Sequence, residues 1–238
     1  SLVDLGVGSR FNSPITVNAG GTLEINSAIP FATRWLYYPT ISGAGTVNKI
    51  GTGAFQFSGP VALTGTVNVQ AGRLGSDNLI ADYSSNTANL NISTGAEFDL
   101  RGQPATWGGL GGSGNVINSF GYGGANLLTI GAGNKGGTFT GAIGGGGNGA
   151  GGDGDGLTAL RKIGTAVQYL DGASSYTGTT TVSGGYLVGR NNSAIGAGPA
   201  GLFVENGATF QLEHATGITI SGKTATITGG GVGGTRGA

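Results

Sequence analysis

Residues 64–74 read TGTVNVQAGRL, and residues 177–187 read TGTTTVSGGYL. The two stretches lie 113 residues apart, and so do Lys49-Ile50-Gly51-Thr52 and Lys162-Ile163-Gly164-Thr165. A fixed offset of this kind marks a repeat protein, in which each unit rests on a neighbour built like itself. Apolar and polar residues alternate within these stretches, as in Val67-Asn68-Val69, with glycines on either side. That is the pattern of a half-buried strand between tight turns.

A second motif occurs three times, at residues 18–25 (NAGGTLEI), 93–100 (STGAEFDL) and 205–212 (ENGATFQL). Each copy is a glycine turn followed by alternation. Leu23 and Ile25, Phe98 and Leu100, and Phe210 and Leu212 are expected to face the core, with Val67, Val69 and Val182. Glu24, Asp99 and Gln211 are expected to face out. Residues 157–170 offer the one helical-looking stretch, and Gly164 and Val167 interrupt it. Short strands without helices leave a sandwich, a barrel or a solenoid. Strands of a sandwich sit in unlike surroundings, whereas stacked coils give equivalent positions equivalent neighbours, so the expectation is an all-β parallel β-helix. At about 20–25 residues and about 4.8 Å per coil, the chain makes about ten coils and a rod of about 50 Å.

Composition narrows the function. The 238 residues carry 11 basic and 11 acidic side chains, a net charge of +0, with no basic stripe to bind nucleic acid. There is no cysteine, hence no disulfide framework and no thiolate metal site. No apolar run reaches the length of about 18 residues that a membrane-spanning segment needs. The chain opens on Ser1 without a charged-then-apolar leader, which suggests a processed form or a fragment.

Two segments break the rhythm. Residues 29–40 are the most aromatic part of the chain, and residues 144–156 are a glycine-rich run. Both read as loop insertions leaving the stack. Because the Lys-Ile-Gly-Thr motif resumes in phase after the second, residues 1–238 read as one continuous solenoid domain.

Tyr176-Thr177-Gly178-Thr179-Thr180-Thr181-Val182-Ser183-Gly184-Gly185-Tyr186-Leu187, led by Leu160-Arg161-Lys162-Ile163-Gly164, resembles the autotransporter-associated β-strand repeat of bacterial surface and secreted proteins. The copy ending at Leu74 has Leu63 in place of the tyrosine. The resemblance covers about two thirds of the chain. It implies a right-handed β-helical passenger segment exported across the outer membrane to the bacterial cell surface or beyond. The translocator barrel expected of that family is absent from this sequence, implying a passenger piece or a relative exported another way.

Candidate chemistry is sparse. His214, the single histidine, follows a repeat strand, and no serine or aspartate is marked as its partner, so it reads as a surface or turn residue. Glu97 and Asp99 are two positions apart on one strand, about 7 Å, which is in the range of paired glycosidase carboxylates. The third motif copy has Thr209 and Gln211 there, and Arg101 follows, so a solvated outer face with a local ion pair is expected. Residues 151–157 (GGDGDGL) approximate a calcium-binding glycine-aspartate nonapeptide but misplace an aspartate and lack a tandem copy, so no metal site is assigned. Trp107 reads as a coil residue. Trp35, Tyr37 and Tyr38 suit either packing over the solenoid or contact with a glycan or partner.

The expected function is a non-catalytic extracellular solenoid acting as spacer, scaffold or self-assembling fibre, with no cofactor. A glycan-binding adhesin is the alternative, and a polysaccharide-cleaving enzyme a further one. The terminal GVGGTRGA, residues 231–238, resembles the lead of another repeat rather than a cap, so end-to-end self-association is also expected.

Overall fold

A short strand such as Thr46–Ile50 or Thr66–Val69 has one apolar row, which it cannot bury alone. The computed structural model describes residues 2–4, 12–28, 30, 36–37, 39–76, 81–119, 126–144 and 158–234. In it the strands stack in parallel into a β-solenoid, with no α-helix among the described residues. Ten strands form one long sheet, from Leu2–Asp4 to Ala208–Leu212. A five-stranded sheet makes a second side; a three-stranded and then a six-stranded sheet share the third position in the winding.

Register turns the sequence alternation into columns. Leu23, Val47, Val67, Leu90 and Leu110 stand one above another in the long sheet, and Phe55, Leu74, Phe98 and Val116 in the five-stranded sheet. All nine are buried, and fully burying side chains of this size contributes about 1.5–3 kcal/mol each. Phe98 packs edge-on against Trp107 at 5.2 Å between ring centroids. Of the expected core residues, Leu23, Ile25, Val67, Val69, Phe98, Leu100 and Val182 are buried, and Phe210 is partly buried against the core. Leu212 differs, being 47% exposed. Its strand is the outermost of the long sheet, so the column it belongs to ends there.

The Lys-Ile-Gly motif closes a corner of the stack. Lys49 continues the inward column between Ile25 and Val69, where an apolar side chain would be expected. Its Nζ donates to the carbonyls of Ile50 (2.9 Å), Gly51 (2.8 Å) and Ala71 (3.1 Å). Lys162 does the same toward Ile163 (2.7 Å), Gly164 (3.2 Å) and Gly184 (3.1 Å). Two carbonyls come from the lysine's own corner and the third from the next coil, so one ammonium ties two rungs together and uses all three of its N–H groups. Gly51 (φ 75°) and Gly164 (φ 69°) make the turn in the left-handed region, and a side chain at either would run into neighbouring oxygens.

The two copies do not occupy the same side. Strands Thr46–Ile50 and Thr66–Val69 belong to the long sheet, whereas their counterparts Thr158–Lys162 and Thr180–Val182 belong to the six-stranded sheet. Ala54–Phe57 and Arg73–Ser76 lie in the five-stranded sheet, while Val167–Leu170 and Gly185–Gly189 lie in the long one. The motif therefore resumes one side earlier in the winding rather than in phase with the stack. The lysine clamp is local to its corner, which is why the shift is tolerated.

One rung is mended by a side chain. Strand Gly137–Phe139 pairs with Leu110–Gly112 only at Gly112 and Phe139. Buried Gln168, one rung further on, reaches across Gly137: its Nε2 donates to the Leu110 carbonyl (2.8 Å) and its Oε1 accepts from the Leu110 N–H (3.0 Å). On the outer surface Asn48, Asn68 and Asn91 form an amide ladder, with Asn68 donating to Asn48 (2.9 Å) and Asn91 to Asn68 (3.1 Å).

Lys49→Met and Lys162→Met keep the apolar stem but leave carbonyls without a donor, and each is expected to lower unfolding stability by about 2–4 kcal/mol in urea titration. Burial pulls both lysines down to about 8 from 10.5. The folded state thus releases these protons first, the unfolded chain binds more of them between those two values, and stability rises with pH across that window. Lysine side-chain NMR titrations with midpoints near 10.5 would contradict this.

Candidate functional site

The long sheet's last rungs carry a charged row at one edge. Asp171, Arg190 and Glu213 each follow a long-sheet strand, and their N–H groups donate to Phe139, Leu170 and Gly189. They are thus one position repeated on three rungs. Arg190 Nη2 and Nε donate to Glu213 Oε2 (3.0 and 3.2 Å), and Nη1 lies 3.9 Å from Asp171 Oδ1. The guanidinium stacks over Tyr169, 3.8 Å from the ring centroid. The hydrogen bond to Glu213, ahead of the carboxylate charges, holds the Arg190 guanidinium above its ordinary pKa. Together with His214 and Ala215 these residues line an open hollow of about 630 Å³.

His214 is exposed, as expected. The Thr216 backbone N–H, which can only donate, lies 3.2 Å from His214 Nδ1, so the neutral ring carries its proton on Nε2. These contacts are those of a local turn, with Thr216 Oγ1 also 3.0 Å from Nδ1, and no serine among the described residues is hydrogen-bonded to the ring.

The carboxylate pair departs from expectation. Glu97 is half-buried, but Asp99 is fully buried rather than facing solvent. The chain after each of two neighbouring strands folds back over it. Asp99 accepts from the Arg101 N–H (3.1 Å), the Ser119 N–H (2.9 Å) and the Ser119 hydroxyl. The guanidinium that reaches both carboxylates is that of Arg73, one rung away, at 2.7 Å from Glu97 and 3.3 Å from Asp99. Arg101 takes a left-handed backbone (φ 49°) that aims its N–H at Asp99.

Tyr37 is buried, stacked at 6.4 Å on Phe55, and its hydroxyl donates to the Ser13 carbonyl (2.6 Å). Burial pushes its phenol up to about 12. Trp35 and Tyr38 lie outside the described residues, as do residues 145–157 with the glycine-aspartate stretch. Among the described residues no group of three or more His, Asp or Glu side chains is arranged to hold a metal ion. No helix among them is long and apolar enough to cross a membrane.

Of the residues around the hollow, the sequence alone marks His214 but not Asp171, Arg190 or Glu213. The signal is the spacing of Asp171, Arg190 and Glu213, which equals successive coil lengths and carries meaning only once the coils are known.

Parallel rungs with lysine-closed corners define a repeat-built β-solenoid. Residues 47–74 and 160–188 match the family described as Passenger-associated-transport-repeat. Each matched stretch is long enough to include the clamping lysine's repeat and the next coil's carbonyl that completes it. The chain carries this autotransporter-associated repeat twice. It is 34% identical over 170 residues, 71% of its length, to the Adhesin BmaC autotransporter of Brucella suis biovar 1 (strain 1330), and spans 5% of that protein. No solved structure matches the chain at a significant level.

Asp99→Asn leaves Arg73 beside a neutral amide in a buried setting. Glu97 still neutralises Arg73, so a loss of about 1–3 kcal/mol in chemical denaturation is expected, as for buried hydrogen-bonding groups left without their partner. A change under about 0.5 kcal/mol, the size typical of surface sites, would mean that Asp99 is solvated.

Proposed function

We propose that this chain is a non-catalytic structural segment of an autotransporter passenger, displayed outside the cell at the bacterial surface as one continuous solenoid. The observation that carries this reading is the use of its polar groups. The lysines inside the stack close corners, Gln168 mends a rung, and Asp99 with Arg73 pins neighbouring strands. The carboxylates best spaced for glycoside cleavage are therefore occupied in holding the fold, and Asp99 has no route to a substrate. Adhesion, after which the Brucella suis relative is named, is the second reading; the exposed hollow around Arg190 favours it.

Two measurements on the purified chain test the structural reading. Small-angle scattering is expected to give a rod about 50 Å long, from rungs about 4.8 Å apart. Incubation with pectin and a panel of polysaccharides is expected to release no reducing sugar. Turnover abolished by Glu97→Gln or Asp99→Asn, in protein still folded by circular dichroism, would overturn the non-catalytic reading.

A further inference from the structure

The charged row Asp171, Arg190 and Glu213 is not part of the repeat. The residues 113 positions earlier are Ser58, Asp77 and Leu100. Earlier rungs at the same edge of the long sheet carry Gln70, Ser93 and Thr140, so rung building does not require charge there. Nor does an ion pair this open to water add much stability.

The pairing is also incomplete. Glu213 gives only Oε2 to Arg190, and its side chain is 60% exposed. Asp171 Oδ1, at 3.9 Å from Arg190 Nη1, is beyond hydrogen-bond range, buried, and without a donor. The Asp171 side chain as a whole is 28% exposed and lines the hollow, so its carboxylate can meet a donor brought there. His214 contributes the Nε2–H that the Thr216 contact fixes, and stacking on Tyr169 holds the guanidinium in place. Acceptors at Asp171 and Glu213 thus stand beside donors at Arg190 and His214 around one hollow.

That mixture selects by chemistry. A sulfate or phosphate only accepts hydrogen bonds and meets two carboxylates. An ammonium only donates and meets a guanidinium. A sugar hydroxyl both donates and accepts, and two neighbouring hydroxyls match the alternation. We propose that this hollow is a glycan-binding subsite that takes neighbouring hydroxyls of a neutral sugar. They donate to Asp171 and Glu213 and accept from Arg190 and His214 Nε2–H. The subsite goes beyond the structural reading, which stands with or without a ligand here.

The test is titration of the purified chain with lactose, chitobiose and mannobiose, followed through the His214 ring resonances by NMR. At least one neutral disaccharide is expected to shift them saturably, with a Kd of about 1 mM or tighter, a common strength for a single small site. Glu213→Ala and Asp171→Ala are each expected to weaken that binding about tenfold, or about 1.4 kcal/mol, with the thermal unfolding midpoint unchanged. The proposal is overturned if none of the three sugars moves His214. It is equally overturned if the variants bind as well as the parent, or if a sulfated disaccharide binds more tightly than its neutral form. None of these outcomes bears on rod shape or on the absence of turnover, so failure here and failure of the structural reading are distinguishable.

Discussion

A β-solenoid depends on its corners. Within each side the main chain finds its hydrogen-bond partners in the rungs above and below, but at a corner the peptide groups rotate away from that ladder. Carbonyls turned inward there would be buried without a donor. This chain meets the constraint with a cation. The ammonium of Lys49 or Lys162 gathers two carbonyls from one corner and one from the next coil, while a left-handed glycine makes the turn that presents them. The apolar columns stay in register because each rung leaves the corner where its neighbour did.

The columns were legible in the sequence because period-two alternation needs no tertiary information. Leu23, Val67, Phe98 and Val182 are buried where alternation places them. The limits lie where the neighbour, not the strand, decides. Leu212 obeys the alternation yet stays exposed, since burial also needs a rung beyond it. Asp99 alternates outward yet is sealed, because the chain around Arg101 and Ser119 folds over it. Lys49 sits in an inward column, which alternation alone would class as an error of pattern; its meaning is visible only with the three carbonyls in place. Arg190 and its carboxylates come together through coil lengths that no local pattern carries.

The two charged clusters show how surroundings divide the roles of like residues. Around Asp99 every contact is internal and the arginine belongs to the fold, with neighbouring strands fastened through it. Around Arg190 the same residue types are partly open to water, one carboxylate oxygen lacks a donor, and a histidine carries its ring proton on Nε2. Charge content alone does not separate the two. Burial and completeness of pairing do.

The displacement of the second repeat by one side has a consequence for how such a chain lengthens. If a clamp works at whichever corner receives it, the increment of growth is a strand with its turn, about a third of a coil. A duplicated stretch need not span whole coils to be accommodated. Copies inserted in this way wind around the axis, and whatever each carries on its outer surface then faces a new direction. A rod built by uneven duplication thus presents features on every side without any change to the interior that supports them.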